Sequence, residues 1–200
     1  ADDEEEVEEV LDDVPHRVAN GLYVGSLDAA TNLGALRERR ITHLLTAAAE
    51  LSQPWPEEFT RLHVSVRDDE TEDLTPHFDK CSDFIDGARK GGGGVLVHCL
   101  AGASRSVAVV CAYMMRNAEP PGALSAADAL RHVQEARPWA NPNPAFMRQL
   151  EAYGRRLAGG GGAASAAEPV ASSSSSSWAA VAAAPEPPAP STEEVVEAAA

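Results

Sequence analysis

The sequence predicts an α/β fold in which helices flank a central, mostly parallel sheet, and three observations support this. Short apolar segments alternate with segments of helical periodicity along the middle of the chain, which is the pattern of strand–helix units. Glycines at positions 91–94 precede the apolar residues 95–97, as expected for a strand covered on both faces. Residues 107–115 are then apolar nearly all round, which indicates a helix buried in the core.

The first predicted element is a β-hairpin. Apolar residues on both sides flank the dipeptide Asn20-Gly21, which favours a tight hairpin turn because both residues accept positive φ. Residues 26–40 then predict one or two short helices. Residues 41–46 and 59–66 predict two further strands, since both are short and rich in β-branched and apolar residues.

The next helix is expected to begin at Thr75 and Pro76, with threonine at the N-cap and proline at the first helical position. Cys81 lies on the apolar face of this helix, so it is most simply a core residue. Ser125 is expected to cap a later helix. Apolar residues at helical spacing over 146–157 predict the helix that closes the domain.

The formal charge of -15 is concentrated in the two ends of the chain. All 16 Lys and Arg residues lie between positions 17 and 156, where acidic residues are about as numerous, whereas both ends carry carboxylates and no base. We therefore expect a disordered acidic tail at 1–14, a folded domain at 15–157, and a disordered tail rich in Ala, Ser and Pro at 158–200. Nucleic acid is not an expected partner, because no basic patch offsets this charge.

The cysteines and the apolar runs suggest where the protein works. Its 3 cysteines form neither a zinc-binding pair nor a disulfide framework, which fits a reducing compartment. The longest apolar run, 107–115, is too short to cross a bilayer, and the N-terminus is acidic where a signal peptide is basic. We expect a soluble monomer in the cytoplasm and/or nucleus, without a membrane partner.

The stretch 95–106 reads V-L-V-H-C-L-A-G-A-S-R-S and predicts an anion site. A turn that leaves the carboxyl end of a strand and enters a helix N-terminus points successive amides into one concavity. A thiol placed there ionises more easily, and the thiolate is the nucleophile, so Cys99 should be reactive although most buried cysteines are core residues. Arg105 can hold two phosphoryl oxygens. Ser106 is placed to hydrogen-bond the sulfur and ease its departure.

The segment from His98 to Ser106 resembles the signature of the dual-specificity protein phosphatases, within the cysteine-dependent protein tyrosine phosphatase superfamily. The C-x5-R spacing alone is shared with rhodanese-like phosphatases and arsenate reductases. The flanking segments raise the specificity of the match, and they comprise residues 20–25, 41–45, the Asp68 loop, 112–115 and 142–150. The resemblance spans 15–157 and implies that this part is the catalytic domain.

The resemblance implies hydrolysis of phosphate monoesters on phosphotyrosine and phosphoserine/threonine of proteins, through a cysteinyl-phosphate on Cys99. The phosphate would be bound by the loop residues Leu100, Ala101, Gly102, Ala103, Ser104 and Arg105. Asp68 is the expected general acid, because it lies two residues past Val66, where a strand ends, and its loop resembles the acid loop of the family. Asp69 is the second choice for the acid, and Asp73 is expected to be a turn or cap residue. His98 is expected to orient the loop by hydrogen bonding.

Two alternatives to a protein phosphatase remain open from the residues. One is a phosphoprotein-binding scaffold, and the other is a glucan or lipid phosphatase of the same fold. No lysine or arginine lies between Cys99 and Arg105, which argues against a highly charged inositol head group, and Ser104 stands where glucan phosphatases usually have glycine. Phosphoproteins are therefore the expected substrates, and we expect no metal and no cofactor.

Overall fold

The computed structural model describes residues 12–51 and 56–159, so most of both predicted tails lies outside the described residues. The strands are β1 (His16–Ala19), β2 (Leu22–Gly25), β3 (Ile41–Ala47), β4 (Thr60–Val64) and β5 (Gly94–His98). The helices are α1 (Leu27–Thr31), α2 (Leu33–Glu38), α3 (Phe78–Lys90), α4 (Arg105–Arg116), α5 (Ala126–Ala136) and α6 (Pro144–Gly159). A 3₁₀ turn, Thr75–His77, leads into α3.

The five strands form one sheet in the order β1-β2-β5-β3-β4. Strand β1 pairs with β2 antiparallel, as the predicted hairpin requires, and the other pairs are parallel. The α/β fold class is therefore confirmed. Strand β5 lies at the centre of the sheet, so the loop after it opens at the carboxyl edge between β2 and β3.

Both faces of β5 are covered. Val95 and Val97 belong to the large core cluster that includes the apolar residues of α4, and Leu96 belongs to a smaller cluster with Leu36 and Leu44 on the opposite face. Every residue of α4 from Arg105 to Met115 is buried, and this helix packs against α3, α5 and α6. The fully apolar pattern of 107–115 is thus explained by a helix in the interior. Among the described helices, none is long and apolar enough to span a membrane.

Helix starts were predicted with mixed success. Ser125 caps α5 as expected, since its Oγ accepts a hydrogen bond from the Asp128 amide at 3.1 Å. The prediction of Thr75 as an N-cap is wrong, because Thr75 is the first residue of the 3₁₀ turn and makes no side-chain cap. The Asp73 carboxylate instead accepts from the Thr75 amide at 3.0 Å, as expected for a turn or cap residue.

The described fold begins inside the segment that the sequence assigns to the acidic tail. The Asp12 carbonyl accepts a hydrogen bond from Ser26 Oγ at 2.6 Å, and the Asp13 carbonyl accepts one from Asn32 Nδ2 at 3.1 Å. Ser26 and Asn32 also cap α1 and α2. Polar contacts to helix caps hold Asp12 and Asp13, so hydrophobic composition alone did not reveal this segment.

Candidate active site

The loop between β5 and α4 turns its amides toward Cys99. Its carbonyls accept hydrogen bonds from outside the loop: Leu100 from the Leu27 amide (3.0 Å), Ala101 from Arg137 Nη2 (3.0 Å), Gly102 from Arg137 Nε (2.6 Å) and Ala103 from the Asn141 amide (2.7 Å). A trans peptide points its N–H away from its C=O. The amides of residues 101–104 therefore face the opposite side, and the Gly102 amide donates to Cys99 Sγ at 3.2 Å.

Only glycine fits at position 102. Gly102 has φ +64, and a Cβ there would lie 2.5 Å from the carbonyl carbon and oxygen of Gly25 and 2.6 Å from Arg137 Nη2. Both the left-handed backbone and the close approach of β2 exclude a side chain. This explains the glycine in the middle of the C-x5-R spacing.

Cys99 lies at the bottom of this loop, and the residue is 1% exposed. Besides the Gly102 amide, Ser106 Oγ lies 3.3 Å from the sulfur, so both groups can donate to a negatively charged sulfur. The other two cysteines lie in the core, where burial raises the pKa of both the Cys81 and Cys111 thiols to about 12. Neither of these two is a nucleophile near neutral pH.

Hydrogen bonds hold the guanidinium of Arg105 at its Nη1 end. The residue is 4% exposed, and its Nη1 donates to Glu50 Oε2 at 2.7 Å and to the Val66 carbonyl at 3.3 Å. Its buried Nε has no hydrogen-bond partner among the described residues, and Asp68 Oδ2 is 3.7 Å away. A buried donor left unsatisfied costs about 1–3 kcal/mol. The Nε edge is therefore suited to an anion.

Glu50 was not predicted from the sequence. Burial alone raises the pKa of a carboxyl group, but the hydrogen bond and the charge of Arg105 outweigh it and the pKa of Glu50 is lowered. The ionised carboxylate thus holds the Nη1 end of Arg105. The sequence contains one indication that Glu50 belongs to the site, because Glu50 follows β3 at the same carboxyl edge of the sheet as Cys99.

Two polar side chains tie Asp68 to the loop of residues 99–105, which we call the phosphate loop because the sequence predicts that it binds phosphate. Its Oδ1 accepts from Ser104 Oγ at 2.7 Å and from Asn143 Nδ2 at 3.0 Å. The backbone amide of Asn143 also donates to Ser104 Oγ at 3.1 Å. The side-chain Oδ1 of Asn143 caps α6 by accepting from the Phe146 amide at 3.0 Å. Asn143 belongs to a segment quoted for the family resemblance, but the sequence assigned it no role.

The second-choice acid, Asp69, is engaged elsewhere. Its Oδ1 accepts from the amide and the hydroxyl of Thr71 at 2.9 and 2.5 Å, and its Oδ2 lies 3.3 Å from Arg67 Nε. These hydrogen bonds from Thr71 lower the pKa of Asp69. The structure therefore brings Asp68, and not Asp69, to the phosphate loop.

His98 is placed to orient the loop. Its Nδ1 lies 3.3 Å from the Cys99 carbonyl and its Nε2 lies 2.8 Å from Thr46 Oγ1. A carbonyl oxygen only accepts, so Nδ1 carries the proton and Nε2 accepts from the threonine hydroxyl. Burial lowers the pKa of His98 to about 4, which keeps the ring neutral near neutral pH.

The buried neutral His98 should make the protein sensitive to mild acid. Well above pH 6.5 the ring is neutral whether the chain is folded or unfolded. Between pH 6.5 and its folded pKa of about 4, the unfolded chain binds a proton that the folded chain does not, so stability falls as pH falls. From pH 7 to pH 5 we expect His98 to cost about 2 kcal/mol of unfolding free energy.

Urea unfolding at pH 7 and pH 5 measures this effect. His98→Asn should reduce the loss of stability on acidification by that amount, whereas His77→Asn in the 3₁₀ turn should leave the loss unchanged. An equal loss in the wild type and in His98→Asn would contradict the assignment of a neutral buried ring.

The sequence is similar to sequences of known proteins. The sequence profile described as "Dual specificity phosphatase, catalytic domain" matches residues 22–156. "Dual specificity protein phosphatase 1" of Arabidopsis thaliana is 45% identical over 140 residues, which cover 70% of this chain and 69% of that protein. Human "Protein phosphatase Slingshot homolog 3" is 47% identical over 137 residues, which cover 68% of this chain and 20% of that longer protein.

The fold is also similar to solved structures. The crystal structure of human DUSP28 superposes with a TM-score of 0.67 at 36% sequence identity, covering 72% of this chain and 95% of that one.

Proposed function

Because the chain belongs to the dual specificity phosphatase catalytic-domain family, and is therefore a protein phosphatase, we propose that it dephosphorylates phosphotyrosine and phosphoserine/threonine by way of a cysteinyl-phosphate on Cys99. The observation that carries this proposal is the loop itself. The Gly102 amide donates to the Cys99 sulfur, and the buried Nε of Arg105 at the same loop has no hydrogen-bond partner among the described residues.

In the first step the Cys99 thiolate attacks phosphorus. The S–P bond forms while the bond from phosphorus to the tyrosine, serine or threonine oxygen breaks, and Asp68 gives its proton to that oxygen. Asp68 Oδ1 already accepts two hydrogen bonds, so the acid proton belongs on Oδ2. That oxygen is the one nearer Arg105.

In the second step water attacks the phosphorus of the cysteinyl-phosphate. The new P–O bond forms while the S–P bond breaks, and the Asp68 carboxylate takes the proton from water. Ser106 Oγ, 3.3 Å from the sulfur, donates to the departing thiolate and lowers its energy. The products are inorganic phosphate and the original form of the enzyme.

Charge on the transferred phosphoryl group is held by donors that are already in place. The amides of residues 101–104 and the Nε edge of Arg105 face the equatorial oxygens, and such preorganised donors need no rearrangement during the reaction. Glu50 restrains the other end of the guanidinium. Catalysis of phosphoryl transfer depends mostly on positioning and on charge stabilisation, and both are better when the donors are held rigidly.

The composition of the loop supports the proposed class of substrate, and the free thiols support the proposed compartment. Residues 100–104 contain no lysine or arginine, which fits a single phosphate on a protein side chain better than a polyphosphorylated head group. All three cysteines are unpaired thiols, which supports action in a reducing compartment, the cytoplasm and/or the nucleus. Phosphate release from a panel of phosphopeptides, a glucan phosphate and inositol phospholipids tests the proposal, and preference for either of the last two would overturn it.

The acid role of Asp68 predicts a selective loss of turnover. Asp68→Asn removes the proton needed by a poor leaving group, so kcat on phosphopeptides should fall about 10²- to 10³-fold while KM changes little. The loss should be smaller on p-nitrophenyl phosphate, whose leaving group needs less help. Steady-state kinetics across pH measures this, and the limb of the kcat profile that reports the acid should disappear.

Asp69→Asn is the matched control. It removes a carboxylate from the adjacent position of the same loop, and this carboxylate contacts Thr71 and Arg67. Its kcat should stay within a few-fold of wild type. If Asp69→Asn loses more than Asp68→Asn, the two roles are exchanged.

A further inference from the structure

We propose that Asp12 and Arg137 are positioning residues for the phosphate loop, so that the segment before β1 is part of the catalytic unit. The inference rests on the proposed function, because it concerns how the same loop is kept in its active form. The sequence alone assigned neither residue a role, and it placed Asp12 in the predicted disordered tail.

Arg137 holds the outer side of the loop. It is 0% exposed, with Nε donating to the Gly102 carbonyl at 2.6 Å and Nη2 to the Ala101 carbonyl at 3.0 Å. These carbonyls belong to the same peptide units as the amides of Gly102 and Ala103. Because each unit is planar, fixing the two carbonyls outward also aims the two amides inward.

Asp12 supplies the charge that a buried guanidinium requires. Its Oδ1 accepts from Arg137 Nη1 at 2.8 Å, and its Oδ2 accepts from Arg137 Nη2, which is the two-pronged geometry of strong arginine–carboxylate pairs. The guanidinium carbon of Arg137 lies over the Trp139 ring, 4.6 Å from the ring centroid. Together with the two loop carbonyls, these groups enclose Arg137.

Asp12 is itself held in place from α1. Its carbonyl accepts from Ser26 Oγ at 2.6 Å, and the same Oγ caps α1 by accepting from the Ala29 amide at 3.2 Å. The amide of Leu27, the first residue of α1, donates to the Leu100 carbonyl of the loop. The segment before β1, the start of α1 and the phosphate loop thus form one connected network.

Removing the Asp12 carboxylate would leave a buried guanidinium without its counter-charge, which is strongly unfavourable. Arg137 would then move toward solvent or rearrange, and the carbonyls of residues 101 and 102 would lose their partners. The peptide units would be free to turn, and the amides would no longer be aligned on the phosphoryl oxygens. Such a change weakens transition-state stabilisation more than substrate capture.

The test uses the full chain with Asp12→Asn, Asp12→Glu and the control Asp13→Asn. Asp13 carries the same charge one residue later, but it contacts Asn32 and not Arg137. For Asp12→Asn we expect kcat to fall about tenfold or more, KM to stay within threefold, and inhibition by orthovanadate to weaken about tenfold. Asp12→Glu should recover part of kcat, and Asp13→Asn should match wild type.

Amide hydrogen exchange over residues 99–105 gives a second readout that does not need turnover. Exchange should be faster in Asp12→Asn than in wild type and unchanged in Asp13→Asn. Unchanged exchange, or equal kinetics for Asp12→Asn and Asp13→Asn, would overturn the inference while leaving the phosphatase proposal intact. An inactive wild-type protein would overturn the phosphatase proposal, and the exchange comparison would still decide the role of Asp12.

Discussion

Replacing Cys99 by serine is expected to reduce phosphopeptide hydrolysis by roughly 10⁴-fold or more, the scale seen when a catalytic nucleophile is removed. A serine hydroxyl is not ionised near neutral pH, and no group among its contacts is placed to take its proton, since the neutral His98 faces the Cys99 carbonyl and Thr46. The amides and Arg105 remain, so the variant should still bind phosphopeptide. Single-turnover kinetics and calorimetric binding measure the two effects separately.

Cys111→Ala is the control for this prediction. Cys111 is a buried thiol on α4 with a pKa raised to about 12 by burial, so removing its sulfur should cost some stability and leave kcat near wild type. If Cys99→Ser keeps its turnover, or if Cys111→Ala loses turnover to the same extent while folded, the sulfur of Cys99 is not the nucleophile.

Replacing Arg105 by lysine should reduce kcat/KM by about 10³-fold although the positive charge is kept. An ammonium is a point charge without the planar fork, and one such donor to a developing oxyanion is worth 10²- to 10³-fold or so. A single ammonium cannot both make the Nη1 contacts with Glu50 and Val66 and present a second donor edge to the oxyanion. We expect kcat to fall and KM to rise, because the guanidinium binds the substrate phosphate as well as the transition state.

Arg116→Lys provides the same substitution at the other end of α4. Arg116 contacts Asp79 and Asp83 at the surface, so this change should leave kcat/KM unaltered. Steady-state kinetics with orthovanadate inhibition distinguishes the outcomes. An Arg105→Lys enzyme with wild-type affinity for orthovanadate would mean that the oxyanion is held by the amides alone.

Most of the site that the sequence predicted lies in one contiguous stretch. Cys99, Arg105 and the strand and helix that flank them fall within residues 94–116, and their roles follow from spacing and from the helix N-terminus. Asp68 could be proposed because it follows the end of a strand at the same edge of the sheet. Local patterns of this kind are readable without knowing the tertiary structure.

The supporting residues could not be predicted in the same way. Glu50, Asn143, Arg137 and Asp12 reach the site only through contacts between distant segments. In the sequence, Asp12 is one acidic residue among many, and Arg137 resembles any solvated arginine. What distinguishes them is the burial of Arg137 and its pairing with Asp12 and the loop carbonyls, which exist only after folding. The sequence also did not distinguish the two possible starts at Thr75, since a 3₁₀ turn and a capped α-helix begin with the same residue types.

The outward carbonyls of the phosphate loop have a consequence for protein engineering. They are braced by Leu27, Arg137 and Asn141, which come from widely separated stretches of the polypeptide. A transplant of residues 98–106 into a foreign strand–helix junction would carry the cysteine and the arginine but none of these braces. Such a chimera should acquire the motif without acquiring an oxyanion receptor, and a working transplant would have to move the braces together with the motif.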